Sequence, residues 1–233
     1  MKRLLVVLLG VVVAVAALPL AASADWSENF DSYVAGSGLH GQGGWKGWGN
    51  DPTWDTPVTD VISRSPNNSL NVFGNSDMVH EYSGYTSGKW TYVAWQYVPE
   101  EFTGQSYFIL LNMYDDPGVT LNWSCQVQFD GTTDIVMSEF NGATLALIRG
   151  SWVELRVEID LDLNSQSFYY GGSLLYTKSW TEGVSGGGAL NIGAVDLFAN
   201  GASTVYYDDM SLHPFGTTAN ETTTWGQVKT RLR

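Results

Sequence analysis

The sequence predicts an all-β fold, a two-sheet antiparallel sandwich. Three observations carry that expectation. Apolar residues alternate or fall in short runs, turn residues interrupt them every few positions, and no long amphipathic helical pattern occurs between residues 25 and 214.

The elements follow in chain order. Lys2 and Arg3 precede an apolar run over residues 4–20, and Ala22-Ser23-Ala24 has the small-residue pattern of a cleavage site. Residues 1–24 are therefore expected to be a secretory signal peptide. The expected product is secreted, periplasmic or held at the cell surface. No other apolar run is long enough to span a bilayer, so no transmembrane segment is expected in the mature chain. Residues 25–215 are expected to form one domain.

Residues 38–54 read GLHGQGGWKGWGNDPTW. Trp45 and Trp48 are an odd number apart, so an extended chain turns them to opposite faces. Trp45 is expected to pack inward, and Trp48 and Trp54 to be displayed, with Gln42 and Asn50 as polar neighbours. Residues 91–98 (TYVAWQYV) and 107–114 (YFILLNMY) read as strands apolar on both faces, as in the middle of a sandwich. In residues 121–129 (LNWSCQVQF), Cys125 is in phase with Leu121, Trp123, Val127 and Phe129. A lone cysteine in that phase reads as a small buried hydrophobe. The other face carries Asn122, Ser124, Gln126 and Gln128. That uncharged ladder suits sugar hydroxyls, or else a face covered by a loop.

Asp130-Gly131 and Asn141-Gly142 mark turns. Residues 152–163 (WVELRVEIDLDL) alternate, with Val153, Leu155, Val157, Ile159, Leu161 and Leu163 on one face and charges on the other. Gly171-Gly172 turns a hairpin, residues 186–188 are a loop, and residues 189–197 and 204–212 close the domain as strands. Residues 216–224 form a Thr-rich linker. Residues 225–233 carry Lys229, Arg231 and Arg233, with Trp225, Val228 and Leu232 on one helical face. This tail is expected to be a short helix or a disordered end, and an export or envelope component is its expected partner.

The formal net charge is −13, which becomes −15 without Lys2 and Arg3. A nucleic-acid partner is excluded by the want of a basic face. With one cysteine there is no internal disulfide, so stability must come from the core or from metal.

Several segments together resemble a known group: Glu28-Asn29-Phe30-Asp31-Ser32-Tyr33, the Gly-Gln-Gly-Gly-Trp element, residues 152–160, the Tyr-Tyr-Gly-Gly hairpin and Val205-Tyr206-Tyr207-Asp208-Asp209-Met210-Ser211-Leu212. In this order they look like the concanavalin A-like lectin/glucanase superfamily, in its laminin-G-like form common in exported bacterial proteins. The resemblance implies a jelly roll of two curved sheets. It leaves function open among lectins, carbohydrate-binding modules, adhesion domains and glycanases.

Glu158-Ile159-Asp160-Leu161-Asp162 is similar to the E-x-D-x-E signature of the superfamily's glucanases, but Asp162 replaces the last Glu. Its shorter reach and the neighbouring Glu154 and Arg156 favour a solvated face, and no catalytic residue is assigned. Glu28 and Asp208 share strand phase with apolar residues near the two ends of the domain. The resemblance implies a structural calcium there, with Asp31 in reserve; the other reading is that these acids cap backbone amides. The expected function is non-catalytic recognition of a glycan or cell-surface polysaccharide. The alternatives are a β-glucan hydrolase using Glu158, Asp160 and Asp162, and a structural envelope protein without a small ligand.

Overall fold

A computed structural model describes residues 25–117 and 119–216. The signal segment, nearly all of the Thr-rich linker and the basic tail lie outside the described residues.

Fifteen strands occur among the described residues: β1 (Trp26–Glu28), β2 (Trp45–Gly47), β3 (Val58–Thr59), β4 (Ser69–Val72), β5 (Asp77–Glu81), β6 (Lys89–Tyr97), β7 (Gln105–Met113), β8 (Asn122–Asp130), β9 (Ile135–Ser138), β10 (Thr144–Ala146), β11 (Trp152–Asp160), β12 (Ser165–Tyr170), β13 (Ser173–Ser179), β14 (Ala194–Phe198) and β15 (Val205–Pro214). They form two antiparallel sheets of a jelly-roll sandwich. One runs β13-β12-β11-β6-β15-β4-β3, with β1 also on β15, and the other runs β10-β9-β8-β7-β14-β5-β2. No helix among the described residues is long and apolar enough to cross a membrane.

The first and last strands are neighbours. Trp26 pairs with Leu212 and Glu28 with Met210. On the same edge of β15, β4 takes Val205 to Tyr207. The main core lies between the sheets and includes Phe30, Trp45, Tyr92, Phe108, Phe129, Phe168 and Trp180. Cys125 is wholly buried there, its thiol pushed up to about 11 by desolvation. It is packing, not a reactive group.

β11 shows the expected alternation, with Val153, Leu155, Val157 and Ile159 inward. The alternation stops sooner than the sequence suggests. Leu163 is 73% exposed, because the strand ends at Asp160 and the chain turns through Asn164 at φ 53°. The β12–β13 hairpin turns at Gly171 and Gly172, both at positive φ, a pairing glycine accepts without strain. The expected strand at 189–197 starts only at Ala194, since residues 183–193 form an anchored loop.

Candidate functional site

The outer face of the seven-stranded sheet is not the solvated polar face of an ordinary sandwich. It carries a second apolar cluster of Val79, Ile109, Leu111 and Ala194, on which Trp48, Tyr107, Tyr114, Trp123 and Phe198 pack. A pocket of about 430 Å³ opens on this face. Its floor is Ile109, Asp77, Asp196 and Gln126, its aromatic walls are Trp48, Trp123 and Phe198, and Val184 and Ser185 form a rim.

Each wall has a local cause. Trp48 opens a single 3-10 turn just after β2, with Gly49 at φ 62°. The Gly49 N–H donates to the Tyr114 hydroxyl at 2.9 Å, which folds this turn over the sheet. A side chain at Gly47 would overlap the Asp51 carbonyl oxygen, so the approach depends on glycine. Trp48 lies nearly parallel to Trp123, at 14° and 6.1 Å between ring centroids, and edge-on to Tyr114.

Trp123 reaches this face through a bulge. Leu110 pairs with Cys125 and Leu111 with Trp123, which leaves Ser124 as an extra residue. Cys125, Val127 and Phe129 stay in the core, but Trp123 is switched to the outer face. The simple alternation that grouped Trp123 with Cys125 is thus corrected.

The bulge also divides the expected polar ladder. Gln126 lines the pocket. Gln128 lies on the same face, beyond the pocket, and donates to the Tyr107 hydroxyl at 2.7 Å and to Glu139 at 3.2 Å. Asn122 and Ser124 are buried, and both accept from the Asn112 amide. Asn122 donates to the Gly186 carbonyl and Asn112 to that of Gly187. These side chains hold the glycine loop that supplies the rim, which is the covered-face alternative for that half of the ladder. Trp45 packs in the core at 1% exposure, as expected, while its neighbour Trp48 is half-buried on the outer face. Trp54 is exposed, as expected, but lies outside the pocket lining. Gln42 donates to the Gly38 carbonyl and the Ser37 hydroxyl, bracing its own turn. Asn50, at φ 61°, is an exposed turn residue that does not line the pocket.

The acids of the floor were not singled out in the sequence. Asp77 and Asp196 sit diagonally on adjacent strands, with Asp77 paired to Phe198 and Asp196 to Val79. Each carboxyl group acts on the other's proton affinity. Burial raises the Asp77 carboxyl to about 6, and burial with the neighbouring charge raises Asp196 well above the usual carboxylate range. Two touching carboxylates in an apolar setting share one proton. One oxygen of each, Oδ1, is buried with no hydrogen-bond partner. The available sequence signal was a lone acid inside an apolar run, Ala194-Val195-Asp196-Leu197-Phe198.

The acids expected to bind calcium are engaged differently. Asp208 accepts from the Arg64 amide at 2.7 Å, from the Ser65 amide and from its neighbour Asp209. Asp31 accepts from the amides of Asn67 and Asn68. Glu28 accepts from the Phe30 amide at 2.8 Å and from the Tyr33 hydroxyl at 2.6 Å. Asp31 and Asp208 therefore stitch the segment 64–68 to the domain ends. No group of three or more acidic, His or Cys side chains converges among the described residues. This engagement with amides and a hydroxyl is the capping alternative that the sequence left open for these acids. The E-x-D-x-E-like acids lie on the other sheet, on its solvated face. Arg156 pairs with Glu154 and Glu158, Lys89 pairs with Asp160 at 2.8 Å, and Asp162 caps the Gly88 amide.

No family model and no curated protein matches the chain. Solved structures are similar to it. A sialidase is similar at 9% identity and a TM-score of 0.55, over 84% of this chain and 19% of the sialidase. A carbohydrate-binding module, CBM66 from Bacillus subtilis, is similar at 14% identity and a TM-score of 0.45, over 73% of this chain and 95% of the module. The galectin LEC-6 of Caenorhabditis elegans is similar at 8% identity and a TM-score of 0.40, over 61% and 95%. The likeness to the sialidase is one of fold. The chain spans under a fifth of the sialidase's length.

Proposed function

We propose that this protein is a secreted, non-catalytic glycan-binding protein whose site is the aromatic pocket on the seven-stranded sheet. The observation that carries the reading is the joining, on one sheet face, of the Trp48–Trp123 wall with inward-facing polar groups. A sugar ring has an apolar C–H face and a rim of hydroxyls. The indoles match the former, and Gln126, Asp77 and Asp196 match the latter with acceptors and donors. The pocket volume of about 430 Å³ lies in the range of small-ligand sites.

A glycosidase reading draws on the same acids but is served badly by their spacing. A retaining enzyme needs carboxyl groups about 5 Å apart, and an inverting one needs more, to seat the sugar or a water between them. Asp77 and Asp196 are close neighbours, and among the described residues they are the acids that line the pocket.

A glycan array read with wild type, Trp48→Ala and Trp123→Ala tests the proposal. The expected result is binding that falls about tenfold or more in each variant, roughly 1.4 kcal/mol. An array on which the wild type binds nothing, or on which both variants bind like wild type, overturns it.

A further inference from the structure

We propose that the pocket selects a sugar bearing a free primary amine, and seats its ammonium on the Asp77–Asp196 pair. This deepens the glycan-binding reading and rests on it.

The floor of the pocket leaves two carboxyl oxygens without a partner. Asp196 is 3% exposed, yet its Oδ1 has no hydrogen-bond partner, and neither does the Oδ1 of Asp77. Both residues line the pocket. A buried carboxylate oxygen left unpaired is costly, and strands hold such groups only where something else meets them. Among the described residues no Lys, Arg or His lines the pocket to do so. The cation of this sheet face, Lys46, is already bridged between Glu81 and Asp116 and stands over the Tyr114 ring.

The charge balance names the missing group. A pair sharing one proton carries a single negative charge, and one ammonium neutralises it without any proton transfer. An ammonium also brings three donors, enough for both orphaned oxygens. Trp48 and Trp123 present ring faces toward which a cation is drawn. An acidic sugar meets the opposite conditions, because its carboxylate enters a negative pocket with no cation to receive it. An N-acetyl group removes the charge and two of the donors.

Calorimetric titration at fixed ionic strength tests this with four probes: a glucosamine tetrasaccharide, its fully N-acetylated counterpart, a neutral β-glucan tetrasaccharide and a tetralysine peptide. The glucosamine tetrasaccharide is expected to bind about tenfold or more tighter than either other saccharide and than the peptide. Asp196→Asn and Asp77→Asn are expected to erase that preference while melting no earlier than wild type, so that lost binding cannot be lost fold. Equal binding of all three saccharides overturns the amine inference and leaves the glycan-binding proposal standing. Binding of no saccharide overturns both. Tetralysine binding as tightly as the amino sugar overturns the sugar assignment, and an amine preference that survives in both variants overturns the carboxylate pair as its seat.

Discussion

At the residue scale, the buried acids divide into two kinds by what satisfies them. Asp208 is wholly buried, and three backbone amides meet its carboxylate. Its carboxyl is still raised to about 7, first by desolvation and then by Asp209. Asp208→Ala leaves those amides without an acceptor, and the expected loss is about 1–3 kcal/mol, checked by denaturant unfolding. Asp208→Asn, which keeps one acceptor oxygen, is expected to lose less. Asp196 is the opposite case, since its fold partners satisfy only part of it. Asp196→Asn is expected to raise the melting temperature at neutral pH, because it removes a buried acid whose ionised form the protein disfavours. A lower melting temperature contradicts that account. Stability given up at a pocket floor is what a binding site costs a fold.

At the scale of elements, the site depends on one bulge and one loop. Much of the architecture was legible, because period-two strands such as β11 and glycine-pair turns such as Gly171-Gly172 act locally. The Trp45–Trp48 split was also legible, from spacing alone. The rest of the site was not. The extra Ser124 in β8 shifts the phase of Trp123, and no local pattern announces a bulge that shows only in the register against β7. Asp77 and Asp196 lie 119 positions apart by their numbers and meet only through the β5–β14 register. Gln42, Asn122 and Asp31 were singled out by residue type, but type does not separate an acceptor offered to a ligand from one spent on a nearby amide. The rim loop makes its own prediction. A side chain at Gly183 would overlap the Trp123 carbonyl oxygen, so Gly183→Ala must push the loop off β8. Overpacking of this kind costs about 1–3 kcal/mol, and the variant is expected to fold but to bind glycan more weakly than wild type. Unchanged affinity in a folded variant removes the rim from the site.

At the scale of the whole molecule, the ionisable interior sets the pH response. Asp77, Asp196 and Asp208 all have folded pKa values above the unfolded value of about 3.9. The native state therefore holds more protons than the unfolded chain between about 4 and those raised values, and this stability is lost as pH rises through 6 and 7. His80 opposes the trend. Burial lowers it to about 4, so the unfolded chain takes up its proton first as pH falls below about 6.5. Three acids outweigh one histidine, and the melting temperature is expected to rise as pH is lowered from 8 to about 5. A scanning-calorimetry series checks this, and a maximum near pH 8 contradicts it. The same instrument tests calcium. With Glu28, Asp31 and Asp208 spent on amides and a hydroxyl, a chelator is expected to leave the melting temperature unchanged.

The central claim is that the seven-stranded sheet, not its partner, holds the glycan. The indole N–H resonances of a 15N-labelled protein report on this directly, since Trp48 and Trp123 lie on one outer face while Trp95 and Trp152 belong to β6 and β11 of the other sheet. Titration with a binding oligosaccharide is predicted to shift the Trp48 and Trp123 signals and leave those of Trp95 and Trp152 in place. Shifts confined to Trp95 and Trp152 would put the ligand on the opposite sheet and contradict the account.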